Sequence, residues 1–418
     1  MKRFLVLVTA VLLCLTAGLS AGCNKDDRTV ISIGYWINNT NERENNQKIF
    51  DAFEKAYPDY RIKAVPLNYD SYGEEVPRMY NGGTLPDVIW LREEYLPIFA
   101  EMGIIVPLQE YVDADEEFDE EKYVNNALEF CSYNGVLYAL PRDIGVQVMA
   151  FNLDIMGNTP LPDSDWTWDD MVALGKKFMV KSGDSYSQYG LGWLDWKSLV
   201  YSNGGTLFAD GGKKATFDDP KTVDALQFYS DLANDPEIAV MPSAEASQGL
   251  GNPFIGKKAA FAVVGSWDFV KLKKVNMNYD IRPFPKGPDG TGQMRLSGLP
   301  IGISSKSAQK DMAYELVRFL CYSETAQKLQ AEYSIAMPSI EAIARSEVYT
   351  SSEYAPPSID VYFEALENTF IEPHFENEQA ALSVFEDYLY MIYNKASGAL
   401  VRAEDIAAEM NAAIQAEL

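Results

Sequence analysis

Val30-Ile31-Ser32-Ile33-Gly34-Tyr35-Trp36 is a run of β-branched and aromatic residues and reads as a buried first strand. A polar, Asn-rich stretch from Asn38 to Asn46 reads as the loop that follows it. Ile49, Phe50, Phe53 and Tyr57 then fall at helical spacing, and Pro58 stops the helix. Arg61-Ile62-Lys63-Ala64-Val65 makes a second strand and Pro86-Asp87-Val88-Ile89-Trp90 a third. Short apolar strands alternating with helices predict an α/β architecture with mainly parallel pairing.

The same grammar continues outward from this segment. Tyr133 to Pro141 reads as an Asn-Gly turn followed by a strand. Thr167 with Asp170 makes a capping box for a helix through Phe178, and Asp219 before Pro220 caps another. Lys257 to Val264 is strand-like, Asp311 to Cys321 is an amphipathic helix, and Ile359 to Leu418 reads as helices. Asn-Gly-Gly-Thr occurs at 81–84 and 203–206 with unrelated surroundings, so it marks two turns and no repeat.

The chain has 418 residues, enough for two domains or one large two-lobed unit. Its net charge of −26 argues against nucleic acid, which demands clustered Lys and Arg. With 47% hydrophobic residues it is too apolar for an acidic disordered chain. A single histidine, His374, argues against His-rich metal sites and His-relay hydrolases. No nucleotide-binding glycine loop and no GxSxG elbow is present, so no cofactor is expected. The acidic run from Asp113 to Glu121 lacks the glycine and alternate spacing of a calcium loop and reads as solvated surface, with no metal expected.

At the N-terminus, Met1-Lys2-Arg3 precedes an apolar run from Phe4 to Ala17, and Leu19-Ser20-Ala21-Gly22 leads to Cys23. Too short to span a membrane, this reads as a secretory signal. It resembles a bacterial lipoprotein signal, in which residues 1–22 are removed and Cys23 is lipidated. Ser20 stands three before the cysteine where Leu is commonest in that family. Losing Lys2 and Arg3 would take the charge from −26 to −28. Residues 23–28 form a polar tether, and Cys131 and Cys321 remain as one disulfide or as two buried thiols.

The order of segments resembles the extracellular solute-binding proteins of carbohydrate ABC importers, the maltose-binding-protein-like family. The resemblance rests on several stretches in the family's order. Leu85 to Trp90 is followed by Leu96–Leu108 with Gly103, then Asn134 to Pro141 with Phe151-Asn152, then Thr167 to Asp170. Gly256 to Phe261 with Gly265-Ser266-Trp267, Leu299 to Ser305 and Ala313 to Tyr322 complete it. It covers residues 30 to 400 and implies a two-lobed, periplasmic-binding-protein-like α/β fold with multiple chain crossovers and a ligand cleft between lobes. Lobe one would be 29–143 with 283–333, and lobe two 144–282 with 334–418. It also implies a non-enzymatic, monomeric, lipid-anchored receptor outside the cytoplasm that hands a sugar to permease subunits. An exported glycoside hydrolase, or a receptor of this fold for a non-sugar ligand such as a phosphorylated polyol or a peptide, are the alternatives.

A sugar site needs aromatic faces for C–H surfaces and polar groups for hydroxyls. Strand ends in open α/β sheets are where ligands sit, which selects Trp36 with the loop containing Asn39 and Asn41, and Trp90 with Glu93. Trp90 and Glu93 match the family's sugar-contacting aromatic and acid, and Trp267 its stacking tryptophan. Trp193, Asp195 and Trp196 fall where lobe two lines the cleft, Asp143 follows a strand at the lobe crossing, and Ser297-Gly298 returns beside it. Each has a plainer reading: a strand-end tryptophan as core, Glu93 as a solvated acid, Arg142 and Asp143 as a mere pair. Trp166 and Trp168 read as packing residues and His374 as a surface residue.

Overall fold

The computed structural model describes residues 27–418 apart from 37–39, 125, 183–184, 193, 236, 238–252, 289, 334–335 and 394–399, with the backbone alone at 40, 41 and 185. Counted in chain order, the strands of its two large sheets are β1 (Thr29–Tyr35), β2 (Tyr60–Pro66), β3 (Val88–Trp90), β4 (Ala139–Gly145), β5 (Val148–Asn152), β6 (Val180–Ser182), β7 (Ser185–Leu191), β8 (Ala259–Val264), β9 (Tyr279–Arg282), β10 (Ser297–Ile303) and β11 (Met337–Pro338).

The first sheet has the order β11-β4-β10-β3-β1-β2. β1 pairs in parallel with both β2 and β3, with helix Thr40–Ala56 as the crossover to β2. Asp87, at the start of β3, ties three segments together. Its carboxylate accepts from the Ser32 amide at 2.9 Å, the Ser32 hydroxyl at 2.5 Å and the Ser307 hydroxyl at 2.7 Å. The second sheet runs β9-β5-β8-β7-β6. β4, β5 and β8 are buried along their whole length, and β8 is accordingly apolar throughout rather than alternating, whereas β4 carries Arg142 and Asp143 into that buried layer.

The expected mainly parallel pairing is corrected to mixed sheets. β10 runs antiparallel to β3 and β4, β11 to β4, and β5 antiparallel to β8 and β9. The reason for β5 and β10 is connectivity: each is entered by chain arriving from the other sheet, not by a local strand–helix–strand crossover. β4 ends at Gly145 and β5 begins at Val148, so two residues carry the chain across. The Val146 amide donates to the Tyr362 hydroxyl at 2.9 Å, and Gln147 accepts from the Ser198 hydroxyl at 2.6 Å. A second passage runs between β9 and β10. Met337 and Pro338 pair with Ile144 and Asp143, so the first sheet extends past both expected divisions, at 143/144 and at 333/334.

Local expectations fare differently. The helix expected after the Asn-rich loop starts at Thr40, because Asn46 lies inside it, buried, with its amide donating to the Glu42 carbonyl at 2.9 Å. Asn134 and Gly135 carry φ of 50° and 75° and close a tight hairpin between Ser132–Tyr133 and Val136–Leu137. The Thr167–Asp170 capping box and the Asp219 cap both form. Trp166 and Trp168 are buried: one donates to the Pro283 carbonyl at 2.8 Å, the other stacks on Phe228 at 4.4 Å. Cys131 and Cys321 are buried free thiols, and burial pushes both well up. His374, expected at the surface, is half-buried as a residue, with its side chain only 8% exposed. Its ring is drawn in between two carboxylates that the sequence separates widely. Among the described residues no helix is long and apolar enough to cross a membrane, and no group of His, Cys, Asp and Glu is placed to hold a metal.

Candidate ligand-binding cleft

The parallel strands β1, β2 and β3 end at one edge of the first sheet, and the antiparallel register brings Gly145 opposite Ser297 to the same edge. Trp36 stands half-buried just beyond β1, with ring centroids 5.3 Å from Trp90, 5.4 Å from Tyr69 and 5.9 Å from Tyr72, all edge-to-face. Such contacts fix ring orientation and each adds about 0.5–1.5 kcal/mol beyond area burial. Trp90 itself is 2% exposed, under the Arg142 guanidinium at 4.4 Å. Its indole N–H is buried with no hydrogen-bond partner among the described residues. Asn39 lies outside the described residues, as does the side chain of Asn41 and the whole of Trp193.

From the second sheet comes Trp267, in the turn after β8, with 38% of its surface open. Its ring lies against the crossing itself. A Cβ on Gly145 would stand 2.6 Å from the indole and one on Gly265 2.3 Å, so both positions need glycine for the ring to sit there. Asp195 caps helix Trp196–Ser202, accepting from the Lys197 and Ser198 amides, and burial raises its pKa. Trp196 is half-buried against Phe385, ring centroids 4.5 Å apart.

Between these aromatics runs a chain of charges joining both sheets. Glu93, just after β3, accepts from the Gly298 amide at 2.9 Å and pairs with Arg295 at 3.3 Å. Arg295 reaches Glu372 at 3.5 Å, and Lys197 approaches the same carboxylate at 3.1 Å. The Tyr201 hydroxyl donates to Glu372 as well. His374 pairs with Glu378 at 2.6 Å through Nδ1, while its Nε2 lies 3.7 Å from Glu93, beyond hydrogen-bond reach. Burial alone would raise Glu372, but Lys197, Arg295 and His374 outweigh it and hold the carboxyl at about 2. Burial likewise opposes charge on His374, yet Glu378 and Glu93 push it up to about 10. Glu93 is lowered against the pull of burial by Arg295, His374 and the Gly298 amide. Asp143 differs: burial raises it to about 7, only partly offset by Arg142 at 3.4 Å.

Of the expected residues, then, Trp36, Trp90, Glu93, Asp143, Ser297 and Gly298 share one edge, and Trp267 lies over Gly145 at the same place. Asp195 and Trp196 connect to it through Ser198–Gln147 and Lys197–Glu372. Tyr69, Glu372 and His374 were missed as site residues. The strand-end rule that selects Trp36 applies equally to Tyr69, three residues after β2. Nothing local marks Glu372, whose partners Lys197, Tyr201 and Arg295 come from distant segments, and for His374 the only local signal is Glu378 four residues on.

Two sheets joined by short crossings, with half-exposed aromatics at the shared edge, define a two-lobed binding fold. The chain belongs to the bacterial extracellular solute-binding protein family, matched over residues 39–328. Among curated relatives, the arabinooligosaccharide-binding protein of Bacillus subtilis is 24% identical over 78% of this chain and 78% of its own. The galactooligosaccharide-binding protein of the same organism is 23% identical, covering 75% of each. An ABC substrate-binding protein of Listeria monocytogenes, solved in complex with cycloalternan, superposes with a TM-score of 0.81 at 20% identity, over 93% of this chain and 99% of that one. Maltose-bound T. maritima MalE3 gives 0.76 at 20% identity, over 93% and 100%. These solved structures establish the fold: a maltose-binding-protein-like two-lobed architecture.

Proposed function

We propose that this protein is a non-catalytic receptor that captures a carbohydrate outside the cytoplasm and delivers it to the permease subunits of an ABC importer. The observation that carries the reading is Trp267, an indole left 38% open against the crossing between the sheets, facing no packing need that would expose it. The relatives named for arabino- and galacto-oligosaccharides support the ligand class.

The charge pattern favours an uncharged ligand over a phosphorylated one. Arg92 is paired with Glu94 and Arg295 with Glu93 and Glu372, while Arg142 is buried over the Trp90 ring. A phosphate would need cations not already neutralised. We assign ligand contact to Trp36, Trp267, Asp195, Ser297 and Gly298. Trp90, under Arg142, Glu93, held by Arg295, and Trp196, packed on Phe385, support them from beneath. Asp143, protonated up to about pH 7, can donate a hydrogen bond to a sugar oxygen.

The lobes in this reading are 29–145 with 297–338, and 148–282 with the C-terminal helices. Cys23 carries the lipid that holds the monomer at the membrane surface. A melting-temperature screen against neutral mono- and oligosaccharides tests the function: a ligand at 100 times its Kd adds about 2.7 kcal/mol. The stabilising sugar should be recovered chemically intact after prolonged incubation. Cleavage with turnover would replace the receptor by a hydrolase.

A further inference from the structure

We infer that Tyr69 is an outer stacking subsite for one sugar unit, so that the site takes an oligosaccharide laid along the edge of the first sheet. This rests on the carbohydrate reading above. The sheet order supplies the geometry. Gly145, with Trp267 upon it, belongs to β4, while Tyr69 follows β2 at the far side of the sheet. From β4 through β10, β3 and β1 to β2 are four interstrand steps of about 4.8 Å, a span of about 19 Å. Trp36, beyond β1, stands between the two ends. A monosaccharide cannot bridge such a row, whereas a chain of sugar units can touch each ring in turn.

Tyr69 is also held in the manner of a binding group. The Arg92 guanidinium lies 4.3 Å over its ring and donates to the Tyr69 carbonyl at 3.0 Å, and Glu94 pins that guanidinium. Asn68 accepts from the Asp70 amide at 2.9 Å and the Ser71 amide at 3.1 Å, which fixes the turn carrying the ring. With Arg92 over the ring and Trp36 set at 75° to it, 39% of the residue remains open. An aromatic surface held rigid before the ligand arrives binds without the entropy cost of ordering a mobile side chain.

The test is titration calorimetry of the purified protein against malto-, arabino-, galacto- and manno-oligosaccharide series from monosaccharide to tetrasaccharide. Wild type, Tyr69→Ala and Tyr69→Phe are compared. For the series that binds, Tyr69→Ala should weaken the longest members about tenfold and leave the shortest unchanged. Tyr69→Phe, which keeps the ring, should restore wild-type affinity. Equal loss at every length, or no loss at any, overturns the subsite while leaving the receptor reading intact. Failure of wild type to bind any member overturns both.

Discussion

Replacing Trp267 by Ala removes the one group on which the carbohydrate reading leans most. A tryptophan side chain has about 250 Å² to bury. With 38% open, about 95 Å² is available to a ligand. At about 25 cal/mol per Å² that surface is worth about 2.4 kcal/mol, or about 50-fold in Kd. The covered remainder rests on Gly145 and Gly265, so truncation also uncovers backbone at the crossing. The ligand-free melting temperature should therefore fall by several degrees rather than stay fixed, since each kcal/mol moves Tm by about 2–4 °C in a large domain. The assay is calorimetric titration with whichever sugar stabilises the wild type, alongside thermal melting without ligand. Trp267→Tyr separates the two contributions, because it keeps a stacking face while losing part of the packing. If Trp267→Ala melts lower but binds within twofold of wild type, the indole is a packing residue and the stacking argument fails.

Cys23→Ser should release the protein from the membrane fraction or leave its signal uncleaved; membrane association equal to wild type would reject the anchor. His374 has a pKa raised from an ordinary 6.5 to about 10, so its ion pairs add stability that is fully present below pH 6.5 and lost as pH rises through 10. His374→Gln should therefore flatten the decline of Tm between those limits, and an unchanged slope would refute the pairing. Asp143 has a pKa raised from 3.8 to about 7, which makes stability fall as pH climbs from about 4 to 7. Asp143→Asn should abolish that fall, as read by denaturant unfolding across the range.

What sequence reading could reach follows the range of the interactions involved. The strand beginning at Val30, the helix ended by Pro58 and the cap at Thr167 are decided within a few residues, and they were legible. Pairing direction was not, because β10 enters between β3 and β4 only after the chain has returned from the other sheet. For His374, the neighbours Pro373 and Phe375 suggest a loop, and the ring is buried because Glu378, four residues on, and Glu93, far up the chain, flank it together. At the site, strand ends singled out Trp36 and Trp90 alike. They could not tell that Trp90 would be covered by Arg142 while Trp36 stays half-open, since cover comes from a different strand. Tyr69 was within reach of the same rule, hidden by the polar residues around it.

Of the six tryptophans among the described residues, Trp267 is the exposed one, the other five being buried or half-buried. Indole emission shifts to shorter wavelength when water is stripped from the ring, so the native chain carries its own optical reporter at the crossing between lobes. A sugar that covers this ring, or a rotation that moves it off Gly145, changes the emission without any dye. Mixing experiments can then time ligand capture directly, and a Trp267→Phe protein gives the background against which that signal is read.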